Sequence, residues 1–148
     1  MKLRVYRVLR RAQHVARWRT PDTSTKYHAI WQHHHGSGHE HVKVNYSQYY
    51  SNEILTVTYS NWKRGVHQEA TISVVRKSYR FLGFTIWTAL TKGEIKMMER
   101  GADGVTERAT YRPNYWERGA CITLFNRGAR LADTKDEEVV ASGHLQAA

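Results

Sequence analysis

Six of the nine histidines fall within fourteen residues: His28, His33, His34, His35, His39 and His41. Imidazole is the commonest metal-binding side chain, so such a cluster invites Zn, Cu or Ni. His39 and His41 are the candidate ligand pair. They lie two apart at the expected start of a strand, where both rings leave from one side. A complete site needs a further ligand. Glu53 comes twelve residues after His41, and the later histidines are His67 and His144. Neither spacing completes a known two-motif site. The run His33-His34-His35-Gly36-Ser37-Gly38 has the composition of a polar loop, which holds ligands poorly. No metal and no cofactor is expected, with His39 and His41 as the residues to watch.

Other chemistries find less support. Cys121 lies in the apolar run Ala120-Cys121-Ile122-Thr123-Leu124, where a thiol behaves as a small buried hydrophobe. As the lone cysteine it excludes an intramolecular disulfide and any paired-thiolate zinc site. There is no Gly-x-Ser-x-Gly elbow. Gly101-Ala102-Asp103-Gly104 lacks the Lys of a phosphate loop. Glu94, Glu99, Glu107 and Glu117 have no spacing that selects an acid–base pair. A non-enzymatic role is expected.

Charge is more informative. The chain carries 23 Lys plus Arg against 13 Asp plus Glu, a formal charge of +10. Residues 1–19 hold seven cations and no acid, whereas residues 132–148 are net acidic. Within the arm, Val5, Val8, Leu9, Ala12 and Ala16 repeat at i, i+3, i+4, i+7, the apolar stripe of a helix. Arg4, Arg7, Arg10, Arg11 and Arg17 lie off that stripe and are the candidate binding residues. Thr20-Pro21 stops the helix. An Arg-rich, acid-free amphipathic start resembles a mitochondrial import signal. Its cations suit RNA, an acidic protein surface or anionic lipid. Alternatively its apolar stripe packs on its own domain. Basic and aromatic residues also interleave at Trp62-Lys63-Arg64, Arg76 to Arg80 and Tyr111-Arg112.

The elements that must carry these residues follow from a change of period. From residue 42 the pattern alternates: Val42, Val44, Tyr46; Leu55, Val57, Tyr59; Ala70, Ile72, Val74. Strands are predicted at 42–49, 54–60, 67–77, 82–91, 94–100, 105–111 and 119–126, with turns at 61–65, Lys92-Gly93, 101–104, Pro113-Asn114 and 126–128. The expected fold is mainly β, an antiparallel meander forming a sandwich or small barrel, with an N-terminal amphipathic helix and extended termini. The expected organisation is a basic arm (1–20), a His-rich linker (21–41), a β domain (42–131) and an acidic extended tail (132–148). At 41% hydrophobic residues the chain can bury a core, and no apolar run is long enough for a transmembrane helix.

These features favour a non-catalytic accessory subunit of a large mitochondrial assembly, a respiratory-chain or ATP-synthase complex at the inner membrane or in the matrix. Its partners would be neighbouring subunits, with anionic lipid or RNA touched by the arm. The alternatives are an RNA-binding structural protein of a ribonucleoprotein particle such as the mitochondrial ribosome, a small viral capsid protein with a basic arm, or a His-coordinated metal-binding β protein.

Overall fold

The computed structural model describes the backbone of residues 1–35, 39–82 and 84–147, and the side chains of residues 1–34, 39–79, 82 and 88–132. Helix α1 (Val5–Trp18) leads into seven strands: β1 (Thr23–Thr25), β2 (His28–His35), β3 (Glu40–Tyr49), β4 (Asn52–Lys63), β5 (Val66–Phe81), β6 (Phe84–Arg100) and β7 (Thr106–Tyr111). Helix α2 (Tyr115–Ala147) ends the chain. The strands form one antiparallel sheet in sequence order, β1 to β7.

The mainly β, antiparallel meander with an N-terminal amphipathic helix is thus what the chain forms. The meander neither closes into a barrel nor stacks on a second sheet. Alternation explains why a covering layer is needed on one side only. Val42, Val44 and Tyr46 of β3, Leu55, Val57 and Tyr59 of β4, and Ile72 and Val74 of β5 are buried on one face. The intervening Thr56, Thr58, Thr71 and Ser73 form the other, polar face. α1 and the first half of α2 lie side by side over the apolar face. α1 contributes Val5, Val8, Leu9, Ala12, Val15 and Ala16, and α2 contributes Cys121, Leu124, Phe125 and Ala132. An antiparallel sheet that is apolar on one side needs one covering layer, and two amphipathic helices supply it.

Four boundaries differ from expectation. The segment 119–126 is helical, because Cys121, Leu124, Phe125, Gly128 and Ala132 fall on one helical face toward the sheet. Asn114 caps that helix, its Oδ1 accepting from the Glu117 backbone N–H at 2.9 Å. The tail predicted as extended continues this helix to Ala147. The predicted linker 21–41 contains β1 and β2, and its Trp31 is a core residue whose indole N–H donates to the Arg19 carbonyl at 3.0 Å. His33, His34 and His35 are strand residues; Gly36-Ser37-Gly38 lie outside the described residues. Finally, 82–91 and 94–100 belong to one strand, β6. Lys92-Gly93 does not turn it; the register shifts there, with Val74 opposite Gly93 and Arg76 opposite Leu90. A Cβ on Gly93 would meet the Pro113 ring at 3.0 Å, so the absent side chain admits the approach to α2.

Polar groups clamp the rim of the core. Arg76 donates from Nε to Glu53 Oε1 at 2.7 Å, from Nη2 to Oε2 at 2.9 Å, and from Nη1 to Asn126 Oδ1 on α2 at 2.6 Å. The Tyr46 hydroxyl donates to the same carboxylate at 2.5 Å. At the other end of the strands the Tyr59 hydroxyl donates to Glu40 at 2.9 Å. Burial and that carboxylate push the Tyr59 hydroxyl up to about 12. The Lys2 backbone N–H donates to the Glu99 carboxylate, with 3.0 Å to Oε2. Gln68 and that N–H hold the Glu99 carboxyl below its ordinary range, against the opposing effect of burial.

Candidate polyanion interface

The stripe of α1 that could have docked elsewhere is spent on the chain's own core, and this decides how its arginines are presented. With Val5, Val8, Leu9, Ala12, Val15 and Ala16 buried inward, Arg7, Arg10, Arg11 and Arg17 are turned to the outer surface of the helix layer. The arm is therefore a structural element of the domain. It cannot lay an apolar face into a lipid surface without leaving the sheet bare.

The five candidate arginines are not equivalent. Arg7 Nη2 lies 3.1 Å and Arg11 Nε 3.0 Å from the buried Glu40 carboxylate, so these two carry a compensating charge. Arg10 sits over the Tyr6 ring at 5.6 Å and Arg17 over the Trp18 ring at 4.8 Å. Both rings are about two-thirds exposed. Arg4 occupies the N-cap position of the helix without a side-chain capping bond and lines a groove with Val5, Leu9, Tyr111 and Trp116.

The neighbouring helix adds arginines that the sequence reading did not place here. Arg127 and Arg130 lie on α2 alongside α1, whereas Arg118 lines a groove with Thr91, Tyr111 and Pro113. Arg127 donates from Nε to the Ala16 carbonyl at 2.8 Å, near the C-terminal end of α1, where carbonyl dipoles favour a cation. A groove of about 500 Å³ runs between the helices, lined by Gln13, Arg17, Thr123, Arg127 and Arg130. A second depression of about 350 Å³ on α1 is lined by Tyr6, Arg7, Arg10, Arg11 and His14. Over residues 4–19 and 115–132 there are nine arginines, no lysine and one acid, Glu117. Glu117 lines the groove with Arg4 and Tyr111, and burial pushes its carboxyl up. Beyond this half of α2 the sequence turns acidic at Asp133, Asp136, Glu137 and Glu138, which bounds the arginine surface.

Guanidinium is planar, always charged and shaped to grip phosphate with two parallel hydrogen bonds. Exposed aromatic rings among such cations offer planes for unpaired bases. The arrangement can hold a polyanion. Cys121, the natural nucleophile by type, is buried against the sheet, and desolvation pushes its thiol up to about 12.

His39 and His41 are not brought together into a metal centre. His39 precedes β3 and is exposed. His41 stacks on His34 across the β2–β3 ladder, with ring centroids 4.4 Å apart. His28 is engaged by Asn45 at 2.8 Å. Among the described residues no three His, Cys, Asp or Glu side chains converge on one point. No family model, no curated protein and no solved structure matches the chain.

Proposed function

We propose that the chain is a non-catalytic structural protein of an RNA–protein particle, gripping single-stranded RNA on the arginine face of its two helices. The observation that carries this reading is the stacking of Arg10 on Tyr6 and of Arg17 on Trp18, both rings exposed on α1, beside Arg127 and Arg130 of α2, over a surface with one acid. Lipid is disfavoured at this face because the apolar stripe of α1 is buried in the core. An acidic protein surface would be served equally by lysine. The exclusive use of arginine, with Tyr6, Trp18 and Trp116 exposed beside it, fits phosphates and bases better. A mitochondrial ribonucleoprotein is the setting in which this reading meets the import-like composition of the first helix.

The test is anisotropy titration of a labelled uridine 20-mer against the full chain between 50 and 300 mM salt. About six phosphate contacts give a slope near −4 in log affinity against log salt, since each contact contributes about −0.7 on a single strand. Charge reversal at Arg10, Arg17 and Arg130 together is expected to weaken binding at least about a hundredfold and to flatten that slope. Reversal of Lys43, Lys96 and Arg108 on the opposite sheet face is expected to change affinity by no more than about threefold, because screening limits distant charges. Equal losses from the two sets would refute a helix-face site.

A further inference from the structure

The groove between α1 and α2 has two ends of different character. One end is lined by Arg17, Thr123, Arg127 and Arg130 and is cationic. The other is a cavity of about 580 Å³ lined by Tyr6, Leu9, Tyr111 and Trp116, together with Arg4 and Arg10. Gln13 lines both, so the two ends are continuous. Tyr6 and Arg10 also line the depression on α1. The aromatic end therefore adjoins both places where the arginines offer a surface to phosphates.

Its construction follows from the two helices that meet there. Val5 and Leu9 belong to the buried stripe of α1 and give the cavity an apolar floor. Tyr6 lies off that stripe and stands out from the helix. On α2, Trp116 lies in the first turn, ahead of Cys121, the first fully buried residue of that helix, and is 79% exposed. The Tyr115 ring braces it at 81°, with centroids 5.4 Å apart. Neither Tyr6 nor Trp116 contributes to the core. Two exposed rings, one from each helix, over an apolar floor make a slot for a flat, mostly apolar body. Its size falls within the range of about 300–1,000 Å³ that small organic groups occupy.

The slot contains one acid. Glu117 lines it, and the Asn114 side chain accepts from the Glu117 backbone N–H in the helix cap. The carboxylate takes no part in that cap. Its Oε2 is buried and has no hydrogen-bond partner among the described residues. A buried carboxylate oxygen without a donor is unfavourable, so an occupant that brings N–H groups is preferred. An acyl chain would leave the oxygen unpaired, and an acidic side chain would be repelled by it. A second copy of this surface would set Arg4 and Arg10 against their like. A nucleobase supplies both the flat body and the donors, and its phosphates find Arg10 and Arg17 along the same helix.

The donor pattern selects the base. A carboxylate offers two acceptor oxygens and matches two parallel N–H groups. Guanine carries N1–H and N2–H side by side on one edge. Cytosine and adenine place an acceptor ring nitrogen beside the amino group, and uracil flanks its single N–H with two carbonyls. Each of those would set an acceptor against a Glu117 oxygen. We propose that the aromatic end of the interhelical groove is a guanine pocket, in which Trp116 stacks on the base and the Glu117 carboxylate accepts from N1 and N2. The pocket presupposes the RNA-binding helix face and gives that face a base preference.

The experiment is anisotropy titration of labelled uridine octamers against the full chain in 100 mM salt, with one central position changed to guanosine, adenosine, cytidine or inosine. The guanosine octamer is expected to bind at least about tenfold tighter than all-uridine, with adenosine and cytidine within about twofold of uridine. Inosine, which lacks the 2-amino group, should fall between guanosine and uridine. Glu117→Gln should reduce the guanosine preference to below about twofold while changing all-uridine affinity less than about threefold. Trp116→Ala should weaken the guanosine octamer at least about fivefold. Circular dichroism checks that both variants fold; Glu117→Gln keeps the side-chain shape and remains decisive if Trp116→Ala does not fold. Octamers that bind equally, with a shared dependence on Arg10, Arg17 and Arg130, would overturn the guanine pocket and leave the RNA reading standing. Failure of every octamer and of the uridine 20-mer to bind would overturn both. The pocket is equally overturned if Glu117→Gln weakens all octamers alike, or if Trp116→Ala abolishes self-association in sedimentation velocity while the guanosine preference persists.

Discussion

The two outer surfaces of this molecule are built from the same polar vocabulary but solve different problems. On the open sheet face, cations sit among acids and hydroxyls: Lys96 lies 3.7 Å from Glu94, and His67 lies 3.2 Å from Glu69. Between them run Thr56, Thr58, Thr71 and Ser73, the outward half of each strand's alternation. Mixed charge of this kind keeps a sheet face soluble and gives no net field. On the helix layer, nine arginines face one acid, and the nearby carboxylate that could balance them, Glu40, is buried and consumed by Arg7 and Arg11. The +10 of the chain is thus not a property of its whole surface. A face that solvation alone had shaped would intersperse its charges as the sheet does.

The comparison presupposes that the helix layer is held to the sheet, and the largest expected effect comes from breaking that hold. Arg76 joins β4, β5 and α2 in one buried cluster through Glu53 and Asn126, with its guanidinium 5.0 Å over the Phe125 ring. Arg76→Met leaves Glu53 buried with one tyrosine hydroxyl, and removing one partner of a buried pair costs about 3–5 kcal/mol. Chemical denaturation should show that loss. The double variant Arg76→Met with Glu53→Gln should recover part of it, because no uncompensated charge is then left inside. A double variant no more stable than the single one would mean that Arg76 acts by packing on Phe125 and not by charge.

A smaller effect compares two glycines of the same helix. Gly119 has open space where a Cβ would stand, whereas a Cβ on Gly128 would run into the buried Tyr46 ring. Helix propensity alone predicts that alanine stabilises both by up to about 1 kcal/mol. Contact with a ring locked to Glu53 reverses the sign at Gly128, where overpacking costs about 1–3 kcal/mol. Thermal unfolding should therefore rise for Gly119→Ala and fall for Gly128→Ala. Two shifts of the same sign would show that α2 stands further from the sheet than the Tyr46 contact requires.

Gly128 also explains part of what the sequence hid. The alternating strands and the first helix were legible because their periods, 2 and 3.6, are set by which side meets the core. Residues 119–126 were not, because Cys121-Ile122-Thr123-Leu124-Phe125 is rich in β-branched and aromatic types and imitates a strand. The contrary signals were Asn114 followed three residues later by Glu117, a helix start, and the wider spacing Cys121, Leu124, Phe125, Gly128. Of the candidate site, the five arginines of the arm were legible. Arg127 and Arg130 were not, since a misread strand placed them in no common surface with α1. The continuity of β6 was hidden by Lys92-Gly93, a turn by composition that the structure uses as a bulge beside Pro113. The His cluster is a different case: β2 and β3 pair His34 with His41, and among the described residues no third ligand joins them.

That histidine pair supplies the smallest predicted effect, and it belongs to the open face. His41 Nε2 is buried without a hydrogen-bond partner. Burial, then the charges of His34 and Lys43, lower its pKa from the ordinary 6.5. Below pH 6.5 the unfolded chain therefore binds a proton that the folded chain resists. Stability from this residue is full above 6.5 and declines as pH falls through the lowered value. The ring is only partly buried, so the contribution is small, a shift in Tm of no more than about 2 °C. His41→Gln should remove that component of the acid sensitivity between pH 7.5 and 5.5. Because His34 lies directly across the ladder and would share the charge, His34→Gln should reduce the same component by less. If neither substitution changes the difference in Tm between the two pH values, the acid response does not come from this pair, and Glu99 on the core side of the sheet, its carboxyl held below the ordinary range, is the group to substitute next. The open face would then be inert to pH as well as to polyanions, sharpening the contrast with the arginine layer.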